Sequence, residues 1–175
     1  AGLGMARVTQ LVDDIAHRYE PNAVGAIGQC NIYPNSRNII PGKVVFTVDF
    51  RSPSFDTQDR MEAALRTGAN EIASDLGLDI EMEKVGHFDP VTFNKDCVNA
   101  IQKASDRLGY SSKEIISGAG HDACWINRSA PTAMIMCPCV DGLSHNEAEE
   151  ITKDWSTAGT NVLFHAVVET AGIVD

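Results

Sequence analysis

One nine-residue stretch limits the fold more than any other. From Lys43 to Arg51 the chain reads Lys-Val-Val-Phe-Thr-Val-Asp-Phe-Arg, so that apolar Val44, Phe46, Val48 and Phe50 alternate with Val45, Thr47 and Asp49. A period of two predicts a strand with one face on a core. Its neighbours have a different period. Met5, Val8, Leu11, Val12, Ile15, Ala16 and Tyr19 recur at three- and four-residue spacing, which predicts an amphipathic helix ended by Pro21-Asn22. Ala23 to Tyr33 reads as a strand interrupted by Gly25 and Gly28, with turns at Pro34-Asn35-Ser36 and Pro41-Gly42. Asp56 to Gly77 predicts a long helix capped by Ser54 or Asp56, and Leu78 to Val85 a further strand.

The first half is thus expected to run α-β-β-α-β. A ferredoxin-like split unit runs β-α-β-β-α-β, so all of it is here but the first strand, expected to precede residue 1. The pattern breaks between Gly86 and Phe93, where a linker is expected. Beyond it, Asp96 to Leu108 predicts a helix stopped by Gly109, Glu114 to Ile116 a short strand, Asp122 to Asn127 a short helix and Pro131 to Cys137 a buried strand. Thr152 to Ala171 predicts a closing helix with Trp155, Val162, Leu163, Ala166 and Val167 on one face. This α-β-α-β-α order predicts a parallel-type sheet under helices, and the fold class as a whole is expected to be mixed α/β.

Composition narrows the function classes. Fourteen Lys and Arg against 24 Asp and Glu give a formal net charge of −10 over 175 residues. Nucleic acid is excluded as a partner, because phosphate neutralisation needs a basic face. The longest apolar run, Ala133 to Val140, holds a proline and falls far short of the roughly 20 residues a spanning helix needs, so no membrane partner is expected. Five cysteines, at 30, 97, 124, 137 and 139, make no Cys-x-x-Cys pair; this fits a reducing compartment, and a cytoplasmic location is expected. The chain opens Ala-Gly-Leu-Gly, without Met or a signal-peptide pattern, and is expected to be a piece of something longer.

Three places could carry chemistry. The polar loop Asp141-Gly-Leu-Ser-His-Asn-Glu-Ala-Glu-Glu150 follows a predicted buried strand, where open α/β sheets place ligands. His145 is its natural metal ligand, an imidazole kept basic by surrounding carboxylates; the plain alternative is an acidic surface loop with an incidental His. Ser117-Gly-Ala-Gly-His-Asp122 puts two glycines after a predicted strand, so backbone N–H groups could converge on an anion or a carbonyl oxygen, or the stretch is only a tight turn. Gly118-x-Gly120-x-x-Ala123 also matches a dinucleotide fingerprint, weakened by the short helix that follows and by the bulk of His121 and Asp122. Asn38 and Arg51 form the third candidate: an Arg fork holds a carboxylate bidentately, or Arg51 is merely a solvated strand end. His17 and His165 read as surface or packing residues, His87-Phe-Asp89 as a hinge, and Cys137-Pro-Cys139 as strand-end packing.

Four ordered motifs, Pro34-Asn-Ser-Arg-Asn-Ile-Ile-Pro-Gly42, Phe46-Thr-Val-Asp-Phe-Arg-Ser-Pro53, Ser117-Gly-Ala-Gly-His-Asp-Ala123 and Gly142-Leu-Ser-His-Asn-Glu147, resemble the hydantoinase/carbamoylase branch of the binuclear metallo-amidohydrolases in the M20 peptidase superfamily. That branch includes N-carbamoyl-L-amino-acid hydrolases, β-ureidopropionases and allantoate amidohydrolases. The resemblance implies that residues 1–88 are a partial lid, or dimerisation, domain of ferredoxin-like form, and that residues 89–175 are the carboxyl-terminal part of an α/β catalytic domain. It implies that His145 is the last metal ligand, that Asn38 and Arg51 grip the substrate carboxylate in the neighbouring subunit's site, and that Gly120 and His121 line the substrate pocket.

The implied reaction is hydrolysis of a ureido C–N bond in a small ureido acid, with loss of carbon dioxide and ammonia. The implied cofactors are two divalent metal ions (Zn, Mn, Co or Ni), which this chain is not expected to bind fully, and the implied assembly is a homodimer through the lid. No catalytic residue is assigned to this chain, which is expected to be inactive alone. The alternatives are a non-catalytic ferredoxin-like dimerisation or binding module, and a dinucleotide binder using Gly118 and Gly120.

Overall fold

The computed structural model describes residues 1–173 and is mixed α/β, as the sequence predicts. It divides into two compact units, Ala1–Pro90 and a second from Val91 onward.

In the first unit, helix α1 (Gly2–His17) leads to strand β1 (Val24–Tyr33), strand β2 (Lys43–Arg51) and helix α2 (Phe55–Leu76). The strands pair antiparallel, from Val24 opposite Arg51 to Tyr33 opposite Lys43. The register slips between Ile27 and Cys30, where Gly28 and Gln29 together face Thr47. The Thr47 hydroxyl accepts the Gln29 N–H at 2.9 Å, which satisfies a donor that the bulge removes from the ladder. A side chain at Gly28 would strike that same hydroxyl, so this bulge requires glycine.

Burial along β2 alternates residue by residue. Phe46, Val48 and Phe50 turn toward the helices, where Val8, Val12 and Ala69 form one buried cluster and Ile15, Ala16, Ala23 and Met61 another. Lys43, Val45, Thr47, Asp49 and Arg51 lie on the opposite, open face. Helix α2 starts where Ser54 Oγ accepts the Thr57 N–H at 3.3 Å and stops at Gly77, in the left-handed conformation (φ 61°).

Leu78 to Val85 forms no ladder, contrary to the sequence expectation. Its alternation is real: Leu78, Ile80 and Met82 are half-buried between exposed Asp79, Glu81 and Glu83. Ile80 and Met82 join the same cluster as Phe46 and Val48. The segment is thus extended and lies over the helices, but no strand among the described residues runs beside it to accept its backbone bonds. The Met82 carbonyl accepts instead from Arg66 at 3.4 Å.

The second unit holds α3 (Lys95–Leu108), α4 (Asp122–Ile126), a 3₁₀ turn (Val140–Gly142) and α5 (Lys153–Ala171). The side chains of Asn94 and Thr152 cap α3 and α5. Ala104 of α3 packs on Val162 and Ala166 of α5, with Ile101, Leu108 and Ile135 around them. The predicted strands Glu114–Ile116 and Pro131–Cys137 enter no ladder, and no parallel sheet forms among the described residues. The reason is the same as in the first unit: a strand needs a neighbour, and the described residues supply none there. The second segment still packs, with Ile135 on the α3–α5 core and the Cys137 thiol 3.5 Å from the Trp155 carbonyl. The closing helix buries a narrower face than its apolar content predicts. Val162 and Ala166 are buried, but Leu163 and Val167 are more than half exposed.

Candidate functional site

Arg51 ends β2 on the open face of the sheet. Its Nε and one terminal nitrogen both reach Asp49 Oδ2, at 3.0 and 2.6 Å. The two residues are two apart on a strand and therefore share a face. The Asp49 hydrogen bond, seconded by its charge, raises the guanidinium pKa further above its ordinary value, so the fork is always cationic. Asn38 sits in the loop between the strands, where its Oδ1 accepts the Ser36 hydroxyl at 2.9 Å. That loop leaves the ladder beyond Tyr33 and Lys43, whereas Arg51 closes the other end opposite Val24. Eight residue steps, about 27 Å at strand rise, separate Lys43 from Arg51. The ladder therefore holds Arg51 and the root of the Asn38 loop apart.

In the second unit, the turn before α4 carries Gly120 and His121. His121 Nε2 lies 2.7 Å from Ser117 Oγ, and the same oxygen accepts the Ala119 N–H at 3.2 Å. The fingerprint reading of Gly118 and Gly120 finds neither the preceding strand nor the long helix it needs, since α4 has five residues.

His145 lies in an exposed loop and has a left-handed backbone, φ 55°, as does Asp141 at φ 54°. Non-glycine residues are rarely found there and cluster where a loop must aim a side chain. The loop is tied at its base by Val140 N–H donating to the Glu150 carbonyl at 2.8 Å. The Glu149 carboxylate accepts the His145 N–H at 3.0 Å, and Cys139 Sγ lies 3.8 Å from its other oxygen. Among the described residues, no three His, Cys, Asp or Glu side chains come together as a metal-binding group. The donor set of this chain therefore does not fit a metal ion by itself; His145 offers one imidazole.

His87 Nε2 pairs with Asp89 Oδ1 at 3.0 Å near the end of the first unit. A surface depression in the second unit, lined by Thr92, Asn94, Asn127, Ser129, Ala130 and Pro131, contains none of the candidate residues. Sequence reasoning missed three partners: Asp49 for Arg51, Ser117 for His121 and Glu149 for His145. Each is two or four residues from its partner, so the signal was local spacing.

Comparison with known proteins places these residues in context. The profile of peptidase family M20/M25/M40 matches residues 2–169. An N-carbamoyl-L-amino-acid amidohydrolase of Rhizobium meliloti is 55% identical over 175 residues, all of this chain and 42% of that protein. An allantoate amidohydrolase of Escherichia coli is 32% identical over 138 residues, covering 77% of this chain and 33% of that protein. Among solved structures, a hydantoinase/carbamoylase family amidase from Burkholderia multivorans superposes with a TM-score of 0.92 at 47% identity, over 97% of this chain and 41% of that one. A dinuclear metal-binding M20 peptidase from Bacillus subtilis shares the fold, with a TM-score of 0.66 at 20% identity over 97% of this chain and 46% of that one. The chain thus spans about two-fifths of the length of the relatives it matches most fully.

Proposed function

The chain belongs to peptidase family M20/M25/M40, and we propose that it forms the lid and carboxyl-terminal part of a metal-dependent amidohydrolase. The reaction is cleavage of the ureido C–N bond of an N-carbamoyl-L-amino acid, or of a related ureido acid such as allantoate, releasing carbon dioxide and ammonia. The observation that carries this reading is the 55% identity, without loss of coverage on this chain, to an N-carbamoyl-L-amino-acid amidohydrolase. The whole enzyme works with two divalent ions, in a reducing cytoplasm, as a homodimer through the first unit.

In this reading Arg51 binds the substrate carboxylate. Its planar fork makes two parallel charge-assisted hydrogen bonds, and its resting partner Asp49 keeps it extended on the open face. Asn38 is the second residue that this reading assigns to the carboxylate. Gly120 leaves bare backbone beside the substrate, and His121 offers a ring nitrogen to a substrate oxygen. His145, whose main-chain N–H donates to the Glu149 carboxylate at 3.0 Å, would be one ligand of a divalent ion, which would supply Lewis-acid polarisation of the ureido carbonyl.

The test is ammonia release by the protein expressed from its whole reading frame, on a panel of N-carbamoyl-L-amino acids, their D-enantiomers and allantoate. Release from an L-ureido acid, abolished by a chelator and restored by divalent metal, is the expected result. No release from any member overturns the reading and leaves a binding module.

A further inference from the structure

The contact between Ser117 and His121 says more than pocket lining requires. A hydroxyl has one proton to give. The Ser117 oxygen accepts the Ala119 N–H at 3.2 Å and lies 2.7 Å from His121 Nε2; with its one proton directed along the shorter contact, Nε2 is the acceptor. A neutral imidazole that accepts at Nε2 carries its hydrogen on Nδ1. The main chain of His121 is extended (φ −136°, ψ 148°) and leads into α4, so the ring is held from both sides: by the helix through its backbone, and by the preceding turn through Nε2.

An added Cβ at Gly120 would meet nothing within 4 Å among the described residues, so the turn is open beside the ring.

We propose that Ser117 is a positioning residue for His121: its hydroxyl donates to Nε2 and fixes the ring's orientation and tautomer with the proton on Nδ1, so that a fixed N–H donor meets an oxygen of the substrate. This rests on the reading of the 117–121 turn as part of the substrate pocket. Without Ser117 the ring turns freely and exchanges tautomers, and a donor becomes an acceptor for part of the time.

The experiment uses the full-length protein with ring-¹⁵N-labelled histidine, the His121 signal being identified by its loss in His121→Gln. Wild type is expected to show a protonated Nδ1 and an unprotonated Nε2 at neutral pH. Ser117→Ala is expected to move the ring toward the Nε2–H tautomer and to lower kcat/KM about tenfold, the worth of one hydrogen bond. Ser117→Thr, which keeps the hydroxyl, is expected to restore both. Ser117 is exposed, so these variants keep the fold. A wild-type ring already protonated at Nε2, or a tautomer unmoved in Ser117→Ala, overturns the proposal. So does an equal kinetic loss in Ser117→Ala and Ser117→Thr. A protein that hydrolyses no ureido acid overturns the proposed function instead, and the tautomer measurement still decides the role of Ser117.

Discussion

Replacing Arg51 with Lys separates substrate binding from structure. Lys keeps the charge but loses the planar fork. Charge-assisted hydrogen bonds are worth about 1.5–3 kcal/mol, and about 1.4 kcal/mol is a factor of ten, so kcat/KM on a carboxylate substrate should fall by roughly one to two powers of ten. The fold should barely respond. Arg51 and Asp49 have side chains 50% and 49% exposed, a class of pair worth about 0–1 kcal/mol, and Lys retains part of that. The assay compares wild type and Arg51→Lys in the full-length enzyme, each on an N-carbamoyl-L-amino acid and on its α-amide. The loss should appear on the acid and be much smaller on the amide, where the carboxylate is already gone. Asn38→Ala should follow the same pattern if its loop reaches the carboxylate. Equal losses on acid and amide would refute the reasoning and make Arg51 a structural residue.

Other residues give sharper tests of the fold. Met61 is fully buried among Ile15, Ala16 and Ala23, so Met61→Ala should cost about 2–5 kcal/mol, read by urea denaturation; a cost under about 1 kcal/mol would mean that α1 and α2 do not pack as described. Glu62 accepts hydrogen bonds from Lys84 at 2.7 Å and Arg66 at 2.9 Å, and these hold its carboxyl below the ordinary value of 4.5. Its contribution to stability is then complete above pH 4.5 and disappears as pH falls through the lower folded value; the Tm difference between wild type and Glu62→Gln should shrink on acidification, and a gap that widens would contradict the pairing. In the full-length protein, amides of residues 79–83 should be protected from hydrogen exchange, because their alternating burial is that of a strand in a sheet; rapid exchange there would remove the ferredoxin-like reading of the first unit.

The helices were legible because their determinants are local. Ser54, Asn94 and Thr152 cap from adjacent positions, and Gly77 and Gly109 stop α2 and α3 in the left-handed conformation. The period-two pattern of β2 was legible too, since it found its partner within a hairpin. Leu78, Ile80 and Met82 carry the same pattern but form no ladder, because sheet assignment depends on a neighbour that local sequence cannot supply. On α5 the apolar stripe was legible from its spacing, and within this chain Val162 and Ala166 of that stripe are buried against α3 while Leu163 and Val167 are exposed. At the site, residue types pointed to Arg51, His121 and His145, but not to the hydrogen bonds that orient them. The strand that separates Asn38 from Arg51 was itself legible, and with it the distance between them.

Metal content decides whether His145 is a metal ligand in the full-length protein. Elemental analysis of the purified full-length protein, beside a folded His145→Ala variant, gives the divalent ions bound per subunit. Two are expected in the wild type and loss of at least one in the variant, with turnover of acid and amide substrates falling together. Metal content and turnover that are both unchanged by His145→Ala would contradict it.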